Sequence, residues 1–197
     1  MNNFETKIRT RETMDEYIFT KYIDDEEMNE GIIRGIRETG DETNHLSNLK
    51  HDTTLGFMHM KYPDSFGKLV TYIEDFCKSS SLQRNYENPH HAHRPDIPMW
   101  KEAYIDNQRV NVMWGARAES GQIATPHDHW PTIWTFCYYI QPPEGCSGLY
   151  FRNSDYELPV EHGLLVIFNS NLIHETLSRE FTGERFCVSG TVVSNPL

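Results

Sequence analysis

His127 and His129 stand two residues apart, a lone His174 follows, and Arg185 comes eleven residues after that. Histidines at this spacing on an extended strand project to the same face. A third imidazole returned by a later strand would complete a facial set of metal ligands and leave coordination positions open. A guanidinium one strand further on suits a bidentate carboxylate. Open metal positions beside a carboxylate anchor are the outline of an oxygenase site.

The elements that must position these residues are strands. From Trp100 onward, short β-rich runs alternate with Gly, Pro, Asn and Asp. The pattern predicts strands over Lys101–Ile105, Arg109–Arg117, Thr125–His129, Ile133–Ile140, Gly148–Arg152, Tyr156–Pro159, Leu164–Phe168, Ile173–Ser178 and Arg185–Val193. Many short strands at such intervals predict a sandwich or barrel.

The first half reads differently. Asp24, Asp25, Glu26 and Glu27 precede Met28, Ile32, Ile33 and Ile36, whose spacing is helical. Acids in a first turn complement the helix dipole. Gly31 and Gly35 weaken this helix, and Gly40 is a candidate C-cap. Asp64 and Ser65 open a second helix with Phe66, Leu69, Val70, Ile73, Phe76 and Cys77 on one face, ending in Ser79–Ser81. Its face should pack on the outside of a sheet. Residues 82–98 read as a long surface loop, and its His90, His91 and His93 as ordinary loop histidines. His162 reads as a turn residue on the surface, and His45, His51 and His59 have no ligand spacing. The expected organisation is an N-terminal helical and loop extension over residues 1–99, packed on a β core over residues 100–197.

Composition bounds the function. The chain has 197 residues, 38% hydrophobic and 24% charged, enough for one well-packed domain. A net charge of -11 disfavours nucleic acid and anionic membrane as partners. No apolar run is long enough to cross a bilayer and no secretory leader is visible, so the default expectation is a cytoplasmic protein. Cys77, Cys137, Cys146 and Cys187 form no C-x-x-C pair and are expected to be reduced structural thiols. Nucleotide-binding glycine motifs and the nucleophile elbow of hydrolases are absent.

The stretch from Val110 to Val193 resembles the Fe(II)/2-oxoglutarate-dependent oxygenases, in particular small members common in phages and marine bacteria. The resemblance rests on motifs in order. They are His127-Asp128-His129, Thr135-Phe136-Cys137-Tyr138-Tyr139-Ile140, Ser147-Gly148-Leu149-Tyr150-Phe151, Pro159 to Phe168, His174, and Arg185-Phe186-Cys187-Val188-Ser189. Taken alone, an H-x-H pair is more often two ordinary strand histidines; the ordered His174 and Arg185 raise the metal reading above that. The resemblance implies a mainly β fold, a double-stranded β-helix of jelly-roll, cupin-like form. It implies Fe(II) as metal, 2-oxoglutarate as co-substrate and O2 as oxidant in a dioxygenase, most often a hydroxylase.

By the resemblance His127 is the first iron ligand and His174 the distal one. The commoner pattern is H-x-D or H-x-E, and this chain has His129 at that place. Strand parity favours His129 as third ligand; a distorted strand could present Asp128 instead. Arg185 resembles the anchor of the distal 2-oxoglutarate carboxylate. Tyr139 shares parity with Thr135 and Cys137, and both Tyr139 and Thr135 are assigned to the co-substrate pocket. Asn111 is a candidate for the other end of the co-substrate. Trp114, Trp130 and Trp134 are expected in the core or at the pocket mouth. The substrate is expected to be a small molecule or a protein side chain.

Two competitors differ in class. A cupin-type three-histidine enzyme without 2-oxoglutarate would use Gly121 and His127-x-His129, but Ile133 and Trp134 stand where its glutamate belongs. A non-catalytic jelly-roll binding protein would hold no metal.

Overall fold

The computed structural model describes residues 6–9, 17–39, 52–87 and 107–194. Gly40, His45, His51, the loop histidines 90, 91 and 93, and the strand expected at 101–105 lie outside the described residues.

Eleven strands form two antiparallel sheets among the described residues. In chain order they are β1 (Thr6–Arg9), β2 (Tyr17–Tyr22), β3 (Asp52–Thr53), β4 (Gln108–Ala118), β5 (Ala124–His127) and β6 (Trp134–Ile140). They continue with β7 (Leu149–Phe151), β8 (Tyr156–Leu158), β9 (Leu164–Asn169), β10 (His174–Thr176) and β11 (Arg185–Ser194). The larger sheet has the order β1-β2-β9-β6-β11-β4-β3, and the smaller has the order β5-β10-β7-β8. Three α-helices accompany them: α1 (Glu26–Thr39), α2 (Met58–Lys61) and α3 (Lys68–Glu87).

The larger sheet is covered on both faces, which explains why β6 is buried at every position. Trp134, Phe136, Tyr138 and Ile140 join the core beneath the helices, while Cys137 and Tyr139 turn toward the smaller sheet. On the helical side, Met28, Ile32 and Ile36 of α1 meet Leu69, Ile73 and Phe76 of α3 in one cluster with these strand residues. Each large side chain buried this way contributes about 1.5–3 kcal/mol. Gly31 and Gly35 are explained by close approach. A Cβ at Gly31 would stand 2.8 Å from the Cβ of Ser65, and one at Gly35 3.1 Å from the ring of Phe66. These glycines let α1 lie against the turn at Pro63–Gly67.

The sequence expectations need correction at several points. The N-terminal part supplies strands as well as helices, because β2 pairs with β9 and β3 with β4 in the larger sheet. The second helix is preceded by a π-helical turn at Pro63–Gly67, and α3 continues past the serines to Glu87. Residues 82–87 therefore belong to a helix rather than a loop. Serine is only mildly unfavourable in a helix, and three of them do not stop one whose apolar face stays packed. The strand expected over Thr125–His129 ends at His127.

Candidate metal and co-substrate site

The two sheets face each other around a cavity. Its lining includes His127, His129 and His174 at one part and Arg185, Tyr139 and Thr135 at others. Strand pairing brings the histidines together. His174 of β10 lies opposite His127 of β5 in the smaller sheet, and the two ring centroids are 4.4 Å apart. His129 approaches from beyond the strand end, 5.0 Å from the His127 ring and 5.3 Å from the His174 ring. One ring nitrogen from each of the three lies within 4.8 Å of the others. That compactness fits a single ion, since metal–nitrogen bonds are about 2.0–2.1 Å.

Two of these rings are oriented by the same device. Nδ1 of His127 lies 2.6 Å from the carbonyl of Thr125, and Nδ1 of His174 lies 2.8 Å from the carbonyl of Leu172. A protonated Nδ1 donating to a carbonyl leaves Nε2 as the lone-pair nitrogen. Burial, reinforced by the neighbouring His127, pushes His129 down to about 4 and His174 down to about 3. Both are therefore neutral at physiological pH, the form that binds a metal.

Asp128 is exposed, and its carboxylate accepts a hydrogen bond from the Trp130 backbone N–H at 3.2 Å. It belongs to the turn after β5 and is not among the cavity residues.

Arg185 is 3% exposed and its Nη1 donates to the Ser147 carbonyl at 2.8 Å. Its Nε is buried without a hydrogen-bond partner, and no ion pair to it exists among the described residues. A buried cation with no counter-charge is costly unless a ligand supplies one. The one carboxylate in the cavity lining is Glu175, and it is paired with Arg152. Burial raises Cys137 to about 12 and pushes Cys187 and the Tyr139 hydroxyl up as well. Tyr139 therefore stays protonated, as a donor requires.

Strand parity decides which other residues reach the cavity. Thr135, Cys137 and Tyr139 line it from β6, and Arg185, Cys187 and Ser189 from β11. Cys187 and Ser189 carried a readable signal, since they lie two and four residues after Arg185. Asn111 is not brought there. The β4–β11 register passes from Val112 opposite Thr191 to Val110 opposite Val192, so Asn111 is the extra residue of a bulge, exposed and outside the cavity. Trp114 lines the cavity with its ring 5.9 Å from that of His129. Trp134 is core, stacked edge-on against Phe19, and Trp130 is 75% exposed. All four cysteines are free. His162 is exposed and lies 2.8 Å from Glu26.

No family model matches the chain, and no curated protein matches it in sequence. Solved structures do match in fold. A viral collagen prolyl hydroxylase from Paramecium Bursaria Chlorella virus-1 superposes with a TM-score of 0.62 at 17% identity, over 99% of this chain and 98% of that one. The same enzyme in a 2OG complex gives 0.58 at 16% identity, covering 88% of this chain and 94% of that one. A prolyl-4-hydroxylase from Pseudomonas putida gives 0.58 at 10% identity, over 90% of this chain and 92% of that one. The fold is therefore the double-stranded β-helix that these prolyl hydroxylases share.

Proposed function

We propose that this protein is a non-haem Fe(II)- and 2-oxoglutarate-dependent oxygenase, acting as a hydroxylase. The observation that carries the reading is Arg185: a buried guanidinium without a counter-charge among the described residues, lining the same cavity as three clustered imidazoles. Such a cavity suits a ligand that is anionic at one end and chelates a metal at the other.

His127, His129 and His174 would hold the iron. Arg185 would bind the distal carboxylate through its free Nε–H, with the Tyr139 hydroxyl as a second donor and Thr135 on the wall. Three neutral imidazoles leave the two positive charges of Fe(II) intact, which a dianion would neutralise. When bound, the iron and 2-oxoglutarate supply the oxidising chemistry, with O2 consumed, the 2-oxo acid decarboxylated to succinate and a substrate C–H bond hydroxylated. The chain's own part is to orient both groups and to keep the cavity between the sheets dry. Fe(II) and this co-substrate fit the donor set: nitrogen ligands at one side and an unmatched cation at the other.

A cupin-type enzyme without 2-oxoglutarate leaves the Arg185 charge unmatched. The substrate is a small molecule or a protein side chain. A prolyl hydroxylase of the same fold from Trichoplax adhaerens, at TM-score 0.53 and 12% identity over 90% of this chain and 82% of that one, is in complex with a peptide fragment of hypoxia inducible factor. Every cavity residue falls between Trp114 and Ser189, which supports residues 100–197 as the part that carries the site, while the part before residue 100 adds β1, β2 and β3 to the larger sheet.

The test is anaerobic calorimetry of 2-oxoglutarate into Fe(II)-loaded and metal-free protein, followed by succinate formation in air. Binding that needs both metal and Arg185 is expected. Failure to bind Fe(II), or indifference of the loaded protein to 2-oxoglutarate, would defeat the reading.

A further inference from the structure

The strand that carries His127 stops there, so strand pairing does not place His129. Something else must hold it 5.0 Å from the ring of His127. The backbone N–H of His129 donates to the Ser170 carbonyl at 2.8 Å. Its own carbonyl accepts twice from Thr132, from the backbone N–H at 3.1 Å and from the hydroxyl at 2.8 Å. The Thr132 hydroxyl also reaches the Ser170 hydroxyl at 2.8 Å, and that hydroxyl meets the Thr135 hydroxyl at 3.0 Å.

Ser170 is 1% exposed and sits in the turn between β9 and β10, four residues before His174. Its backbone N–H donates to the Ile133 carbonyl at 3.3 Å, which ties the turn to the segment leading into β6. One serine thus joins the turn leading to His174, the segment holding His129 and the cavity wall at Thr135. Side-chain hydroxyl networks of this kind fix the groups they connect when every member is satisfied.

We infer that Thr132 and Ser170 are positioning residues that hold His129 in the metal-binding arrangement, in place of the missing strand. The inference rests on the proposed metal site. Neither hydroxyl touches the imidazole: the Thr132 hydroxyl acts through the His129 carbonyl, and the Ser170 hydroxyl acts through Thr132. Loss of supports around metal ligands typically weakens metal affinity 10- to 100-fold.

The experiment uses Co(II) as a spectroscopic probe on the full chain. Metal affinity, the visible spectrum of the cobalt complex and the melting temperature of the metal-free protein are measured for wild type, Thr132→Val, Thr132→Ser and Ser170→Ala. Thr132→Val keeps the shape of the side chain and replaces its hydroxyl with a methyl group. Thr132→Val and Ser170→Ala are each expected to weaken cobalt binding about 10-fold and to alter its spectrum. Thr132→Ser should restore both. The double variant Thr132→Val/Ser170→Ala should lose less than the product of the single losses, because the two share one hydrogen bond. Wild-type affinity and spectrum in both single variants would overturn the inference. So would a lower melting temperature with an unchanged spectrum, since that is what a merely structural role produces. Wild type that takes up no cobalt would overturn the metal reading itself, and the inference with it.

Discussion

His174 stands directly opposite His127 across two short antiparallel strands, and each ring is locked by a bond from Nδ1 to the carbonyl two residues upstream. The repeated device sets both Nε2 lone pairs before any metal arrives. Preorganised ligands of this kind lower the ordering cost of binding.

His129 and Asp128 should separate cleanly under mutation. His129→Ala is expected to lose metal, while Asp128→Ala keeps it and costs about 0.5–1 kcal/mol of stability from the lost bond to the Trp130 N–H. Metal content by elemental analysis and urea melts check both. Metal retained in His129→Ala and lost in Asp128→Ala would restore a two-histidine, one-carboxylate site.

Arg185 should trade stability against binding. Arg185→Met is expected to weaken 2-oxoglutarate binding by roughly 2–4 kcal/mol. It should also raise the melting temperature of the unliganded protein, because a buried charge with no counter-ion is removed. Arg185→Lys should recover part of the affinity, as a point charge without the fork. Calorimetry showing equal affinity for wild type and Arg185→Met would refute the anchor.

Acid should destabilise the metal-free protein through the histidines. His129 and His174 have folded values of about 4 and about 3, below the ordinary 6.5. Their neutral burial contributes fully above pH 6.5. As pH falls below that value, the unfolded chain takes up protons that the folded chain does not. The contribution therefore declines through the window down to about 4 for His129 and about 3 for His174. Each group steepens the slope by at most about 1.4 kcal/mol per pH unit. Urea melts across that window should show a shallower slope for His174→Gln than for wild type; parallel slopes would contradict the assignment.

Gly148 should resist substitution. A Cβ there would fall 1.8 Å from the Leu158 carbonyl oxygen, a backbone atom that cannot step aside. Gly148→Ala is expected to cost about 1–3 kcal/mol and to displace Ser147, whose carbonyl holds Arg185. Weaker 2-oxoglutarate binding should accompany the loss. A thermal melt and a titration on the same variant check the pair, and an unchanged affinity would uncouple Ser147 from the anchor.

Much of the site was legible because chemistry and parity are local. Two histidines two apart, a late histidine and an arginine needed only residue types and order. Thr135, Cys137 and Tyr139 reached one face because β6 is regular, and period-2 reasoning holds wherever a strand is regular. The same reasoning pointed to His129, which the fold brings to His127 and His174 by a different route. His129 lies past the strand end, and its backbone donates to Ser170 and accepts from Thr132, 41 and three residues away. Asn111 failed for a related reason: a bulge shifts parity, and a bulge is defined by the partner strand. That Arg185 has no counter-charge among the described residues was also invisible, since it depends on everything folded around it. Residue types and short spacings singled out the histidines and the arginine that line the cavity. Pairing across long sequence separations decided which groups meet, because register and burial depend on strands that the local sequence does not contain.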